Sequence, residues 1–143
     1  LQNMVVELGL SDMVIFEGNK TRDWVYENLC NFDLFVQPSR YEGFGLTVAE
    51  AMVAKVPVLS SNVEGPLEIM TPKDESSELY GCVFESENVV SLAQKIADFV
   101  KNGRDELLIE KARQQVYQYY HVKNTATKYL EEYRKVIDFC QSN

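Results

Sequence analysis

The sequence is poor in the residues that build most metal and nucleophile sites. Its 143 residues include one histidine, His121, and three cysteines. Cys30, Cys82 and Cys140 are far apart and odd in number, with no C-x-x-C pair. That pattern argues against a disulfide framework and a cysteine-rich zinc site, and it fits a reducing compartment. His121 stands in a tyrosine-rich helical stretch, remote from any glycine-rich loop, and reads as structural. No Ser-His-Asp or Cys-His arrangement is therefore expected. No apolar run reaches the roughly 18 residues that span a membrane. The opening LQNMVVELGLSD lacks a basic start followed by an apolar stretch, so we read no signal peptide and expect a cytoplasmic setting. Positive charge is scarce too: 14 Lys and Arg against 22 Asp and Glu leave a net charge of −8. Non-specific nucleic-acid binding needs a basic face, so nucleic acid is not an expected partner.

What is present suits a folded domain. Hydrophobic residues make up 45% and charged residues 25%, ordinary proportions for a globular chain. One domain over residues 1–143 is expected. Short apolar runs at 14–16, 34–37, 57–60 and 81–84 read as strands, the first one buried and closed by a turn at 17–19. Helical spacing lies between them: after Thr21, which can cap a helix, then over 46–54 and 64–70. After Asn88 the pattern is helical, ending in two terminal helices over about 104–140 whose apolar stripes read as packing faces. The polar stretch 71–78 reads as a loop. Alternating strand and helix predict an α/β fold, a Rossmann-like parallel sheet with flanking helices. A complete doubly wound domain has further strands, and Leu1 begins as if inside a helix. We therefore expect a fragment, cut from the front of a larger protein.

The stretch PSRYEGFGLTVAEAMVAKVPV carries the chemistry. A strand ends at Pro38, a loop holds Glu42, Gly43 and Gly45, and a helix follows. Glycine at 43 and 45 lets backbone approach a ligand and permits positive φ. The N–H groups that open a helix suit a phosphate or a sugar oxygen. Two carboxylates near such backbone make sense as acceptors for sugar and ribose hydroxyls. Taken alone, the same spacing also fits a solvated loop acid at Glu42 and a surface helix residue at Glu50.

With seven residues between them, Glu42 and Glu50 resemble the E-x7-E motif of retaining glycosyltransferases with the GT-B fold, and within these the group 1 set, glycosyltransferase family four. Phe35-Val36, Pro38-Ser39, Glu42-Gly43-Phe44-Gly45-Leu46, Glu50-Ala51-Met52 and Pro57-Val58 agree with that family. Val14, Phe16 and Gly18 resemble its V-x-F-x-G strand and turn, and Gly65, Glu68-Ile69, Gly81 and Val83 follow in family order. The resemblance covers roughly residues 5–103. It implies the later part of a C-terminal, donor-binding domain. It implies that Glu42 lies beside the transferred sugar as the catalytic carboxylate, and that Glu50 binds the ribose hydroxyls. Backbone N–H groups of Gly43, Phe44, Gly45, Leu46 and Thr47 would meet sugar and diphosphate, and Asn19 and Lys20 would lie near the base.

The resemblance also implies a nucleotide-sugar as substrate, no metal and no other cofactor. The acceptor would be a sugar or a lipid-linked molecule, as in polysaccharide or glycolipid synthesis, with peripheral membrane contact for the full-length protein. The acceptor domain and the family's Arg and Lys for the departing diphosphate lie upstream of Leu1. Lys20, Arg22, Arg40 and Lys55 are the nearest basic residues and read as structural or solvated. Rival readings are a noncatalytic sugar-nucleotide-binding or scaffolding module, or an epimerase or phosphorylase on the same fold. One departure is Lys55, where the family often has glycine. A lysine there must either take the left-handed conformation or reshape the turn.

Overall fold

Pairing decides which apolar runs become strands. The computed structural model describes residues 1–141. In it β1 (Phe35–Gln37), β2 (Val58–Ser61) and β3 (Cys82–Phe84) form a parallel sheet in the order β1-β2-β3. Phe35 aligns with Val58, Gln37 with Ser60, and Ser61 with Phe84. The central strand β2 is buried along its whole length, as a parallel strand covered on both faces should be. The helices are α1 (Gln2–Glu7), α2 (Arg22–Asn28), α3 (Leu46–Val53), α4 (Glu64–Met70), α5 (Val89–Asn102), α6 (Glu106–Tyr119) and α7 (Val122–Gln141). The Rossmann-like parallel sheet with flanking helices is thus the observed fold. The domain expected over 1–143 includes residues 142 and 143, which lie outside the described residues.

Two sequence expectations are corrected. Residues 14–16 form no strand, and Ile15 and Phe16 are exposed. A strand needs a partner for its ladder, and no described strand pairs with this segment. The last helix also differs from expectation. Val122, Tyr129, Leu130, Tyr133, Val136 and Ile137 of α7 are each more than half exposed, so their stripe is uncovered among the described residues.

The core lies between the sheet and α3, α4 and α6. Val48, Ala51 and Met52 of α3, Ile69 and Met70 of α4, and Ala112 and Val116 of α6 meet Val58 of β2. Each fully buried side chain of this kind contributes about 1.5–3 kcal/mol. Inside this packing Thr71 closes the end of α4, its N–H (2.8 Å) and Oγ1 (2.7 Å) both donating to the Leu67 carbonyl. Gln115 of α6, itself buried, supplies further partners. Its Nε2 donates to the carbonyls of Ile69 (2.7 Å) and Thr71 (2.9 Å), and its Oε1 accepts from the Lys73 N–H (2.8 Å). Helix-terminal carbonyls need such donors when water is excluded.

Lys55 takes the left-handed alternative, with φ +60°. The end of α3 is a Schellman turn: the Val56 N–H donates to the Ala51 carbonyl and the Lys55 N–H to the Met52 carbonyl. Lys55 is tied on both sides, its carbonyl accepting from Arg104 Nη2 (2.9 Å) and its Nζ pairing with Glu110 (2.9 Å). Replacing Lys55 by glycine or by alanine removes the same ion pair. The glycine protein should therefore be the more stable by about 1 kcal/mol, because only alanine keeps a Cβ in the left-handed region. Urea midpoints measure the difference, and equal midpoints would refute a left-handed cost. Hydrogen bonding to Lys55, above all, holds the Glu110 carboxyl below its ordinary value. That stability is present above the unfolded-state value and is lost as pH falls through the lowered folded value. Both variants should flatten this acid limb.

Candidate functional site

The site is built where β1 hands over to α3, at the carboxyl end of the sheet. Gly45 is the N-cap of α3 and has φ +84°, a left-handed value that a β-carbon disfavours. Its carbonyl accepts from the Val48 N–H (3.0 Å) and the Ala49 N–H (3.2 Å), which starts the helix. The loop lies on the first turn of α4, and Gly65 makes this possible. A β-carbon there would come within 2.6 Å of the Glu42 carbonyl oxygen and 2.8 Å of the Phe44 nitrogen. Gly43 is different: its φ is ordinary and nothing lies within 4 Å of a β-carbon position. The chain's own packing does not require glycine there.

Glu42 is half-buried and held at both oxygens. Oε1 accepts from the Gly45 N–H (3.2 Å) and Oε2 from Gln37 Nε2 (3.4 Å). Gln37 Nε2 also contacts Ser39 Oγ (2.9 Å), and Gln37 Oε1 accepts from Thr47 Oγ1 (3.1 Å). From β2, the buried Ser61 hydroxyl donates to the Ser39 carbonyl (2.6 Å) and fixes the turn after β1. Among the described residues, the N–H groups of Gly43, Phe44, Leu46 and Thr47 have no hydrogen-bond partner. The Gly45 N–H is occupied by Glu42. Four N–H groups of the loop and the first turn of α3 are thus without an acceptor, and unpaired N–H groups at a helix start suit anionic oxygens.

Glu50 lies one helical turn further along α3, half-buried, with Oε1 3.9 Å from Arg22 Nη2. Arg22 also bonds the Tyr26 hydroxyl, and Tyr26 and Glu50 together raise the guanidinium pKa above its ordinary value. These side chains line an open groove of about 510 Å³ between α2 and α3, with Leu46, Ala49 and Val116 as apolar wall. Lys20 pairs with Glu17 (2.7 Å) and sits over the Trp24 ring, while Asn19 is exposed in the turn before α2. Thr21 caps α2 by accepting from the Trp24 N–H (3.2 Å). Arg40 pairs with Glu87 (2.9 Å). Lys20, Arg40 and Lys55 are thus paired with Glu17, Glu87 and Glu110, while Arg22 lies beside Glu50 in the groove itself.

Sequence reasoning assigned no role to several residues that shape the site. Gln37 and Ser61 reach it from strand ends, and Gly65 lies beneath it. Tyr120, just past α6, packs edge-on against Phe44 with ring centroids 5.8 Å apart, and its hydroxyl donates to the Glu68 carbonyl (3.3 Å). Burial, then the nearby Glu68, pushes the Tyr120 hydroxyl pKa up. The one available signal was a polar glutamine at the end of an apolar strand. His121 behaves as structural, its Nδ1 accepting from the Lys123 N–H (3.2 Å) and its ring stacking on Tyr117. No group of three or more His, Cys, Asp or Glu among the described residues is arranged to hold a metal ion.

This fold is that of the C-terminal domain of GT-B glycosyltransferases. The chain matches the family described as glycosyl transferases group 1 over residues 1–119, and it belongs to that family. It is 36% identical over 102 residues to the lipopolysaccharide core biosynthesis mannosyltransferase LpsB of Rhizobium meliloti, covering 70% of this chain and 27% of that protein. Among solved structures it is similar to sucrose-phosphate synthase from Thermosynechococcus elongatus, with TM-score 0.79 and 25% identity over 96% of this chain and 33% of the other. It is also similar to Staphylococcus aureus TarM, solved in complex with UDP, with TM-score 0.73 and 27% identity over 91% of this chain and 25% of the other. The chain spans a third or less of the length of the curated relatives it matches. No helix among the described residues is long and apolar enough to cross a membrane.

Proposed function

We propose that this chain is the donor-binding part of an enzyme that moves a hexose from a nucleotide-sugar to an acceptor with retention of configuration. The observation that carries the reading is the pair of carboxylates bracketing four unpaired N–H groups at the start of α3. The N–H groups meet the diphosphate and sugar oxygens, Glu50 accepts from the ribose hydroxyls, and Asn19 and Lys20 border the base. Glu42 stands beside the anomeric carbon, where its negative charge stabilises the positive charge that develops as the glycosidic bond to the diphosphate breaks. The acceptor hydroxyl oxygen then attacks on the face the diphosphate leaves, and its proton passes to the departing diphosphate oxygen. The nucleotide-sugar is substrate, and the reading assigns no resident cofactor or metal. The acceptor is a sugar or lipid-linked molecule, met by a separate domain on the cytoplasmic side, with peripheral membrane contact. That UDP is bound by TarM, at 27% identity, supports a nucleoside diphosphate as ligand.

The isolated chain should bind nucleotide weakly. Its donors at the loop are neutral N–H groups, and its nearby cations are engaged. We expect a Kd near 1 mM, about −4 kcal/mol, for the preferred nucleoside diphosphate. Calorimetry with UDP, GDP and ADP tests this, and a micromolar Kd would show that the chain needs no further contacts. Retention is read from the anomeric signal of the product of the full-length enzyme by NMR. Donor binding with no turnover would mark a sugar-nucleotide-binding module instead.

A further inference from the structure

The end of β1 carries a residue that the strand's own packing does not explain. Phe35 and Val36 are apolar, whereas Gln37 places a half-buried amide among three polar partners. One end of that amide accepts from Thr47 Oγ1 on the first turn of α3, and the other reaches Ser39 Oγ and Glu42 Oε2. The Thr47 and Ser39 hydroxyls can each donate or accept, whereas an ionised carboxylate only accepts, so the amide turns its N–H toward Glu42. The Gly45 N–H meets the second carboxylate oxygen. We propose that Gln37 is a positioning residue for Glu42: it fixes the direction of the carboxylate. A carboxylate held in one direction is what a developing positive charge needs. The inference rests on the reading that Glu42 faces the reacting sugar. Other charged groups on the surrounding elements are engaged or solvated: Arg40 bonds Glu87, Glu50 faces Arg22, and Glu64 is exposed on the first turn of α4.

The test is a pH–rate profile of the full-length enzyme carrying Gln37→Glu. Glutamate keeps the size of glutamine and still accepts from Thr47, but it sets a second carboxyl against Glu42. Two carboxyls at that spacing share one proton, so the acid limb of kcat should move up by at least one pH unit. Gln37→Leu removes the donor without adding charge, and kcat should fall about 10-fold with donor KM changed less than 2-fold. A moved limb shows that residue 37 faces Glu42 in the working enzyme, and a role confined to loop stiffness would show in Gln37→Leu as a raised donor KM with kcat kept. An unmoved limb in Gln37→Glu overturns the proposal, as does a Gln37→Leu effect confined to KM. If Gln37→Leu fails to fold, Gln37→Met, which also lacks the N–H donor, is measured in its place for the same split between kcat and KM. Glu42→Gln separates the two levels. If it lowers kcat while Gln37→Glu leaves the profile unmoved, only the positioning role falls. If it leaves kcat intact, the assignment of Glu42 falls and the proposal with it.

Discussion

Replacing Glu42 with glutamine should lower kcat of the full-length enzyme by about 100- to 1000-fold with little change in donor KM. Its charge matters as the sugar becomes cationic and much less in the ground state, so the loss falls on the chemical step. The size of the effect is that of removing one preorganised charge-stabilising group from a reacting centre. Glu50→Gln should behave differently. A carboxylate that binds ribose hydroxyls does so equally before and during reaction, so its loss raises donor KM and spares kcat. A hydrogen bond to a charged group contributes about 1.5–3 kcal/mol, which corresponds to a rise of about 10- to 150-fold. Glutamine preserves side-chain size at both positions, and circular dichroism checks that both proteins fold. Steady-state kinetics decide the matter. Effects on kcat alone in both variants, or no effect in either, would remove the division into sugar and ribose carboxylates.

Gly65→Ala should destabilise the chain by about 3 kcal/mol, near the upper end for a single overpacking methyl. The obstructing atoms are backbone, at 2.6 Å and 2.8 Å from the new carbon, and they cannot rotate aside. Either the loop over 42–45 lifts from α4 or α4 shifts, and the shift is resisted by the three bonds of Gln115 at its other end. Nucleotide binding should weaken along with stability. Gly43→Ala is the control, since a β-carbon there meets nothing and φ is ordinary. It should change stability by less than about 0.5 kcal/mol. A loss of nucleotide affinity at unchanged stability would then locate the ligand against the backbone at Gly43. Urea denaturation of the two proteins, with calorimetry for the nucleotide, makes both comparisons. A Gly65→Ala midpoint equal to that of the parent protein would show that the loop does not depend on this close approach.

The family, the parallel α/β order and the carboxylate spacing were legible in the sequence because each depends on short-range information. The loop from Pro38 to Leu46 keeps Glu42, two glycines and a helix start within nine residues, and the E-x7-E spacing survives whatever surrounds it. Thr21 and Asn88 act as caps through side chains that reach only three residues ahead. Even the departure at Lys55 could be posed from sequence as a choice between two backbones. The choice was settled by tertiary structure, where Glu110 and Arg104 tie the lysine in its left-handed place. Tertiary structure likewise decided the fate of residues 14–16, whose β-branched composition sets a preference while a ladder requires a neighbour. The exposed stripe of α7 is the same lesson for a helix: periodicity names the face but not what meets it. Gly65 stood in family order, yet its reason lies in the backbone of residues 42–44. Ser61, Gln115 and Tyr120 act on groups distant in sequence, through bonds that exist only once β1, β2, α4 and α6 are packed together. Local chemistry placed the two carboxylates and the bonds from Gln37 and Gly45 that hold Glu42; long-range packing set the turn after β1 and put Arg22 beside Glu50.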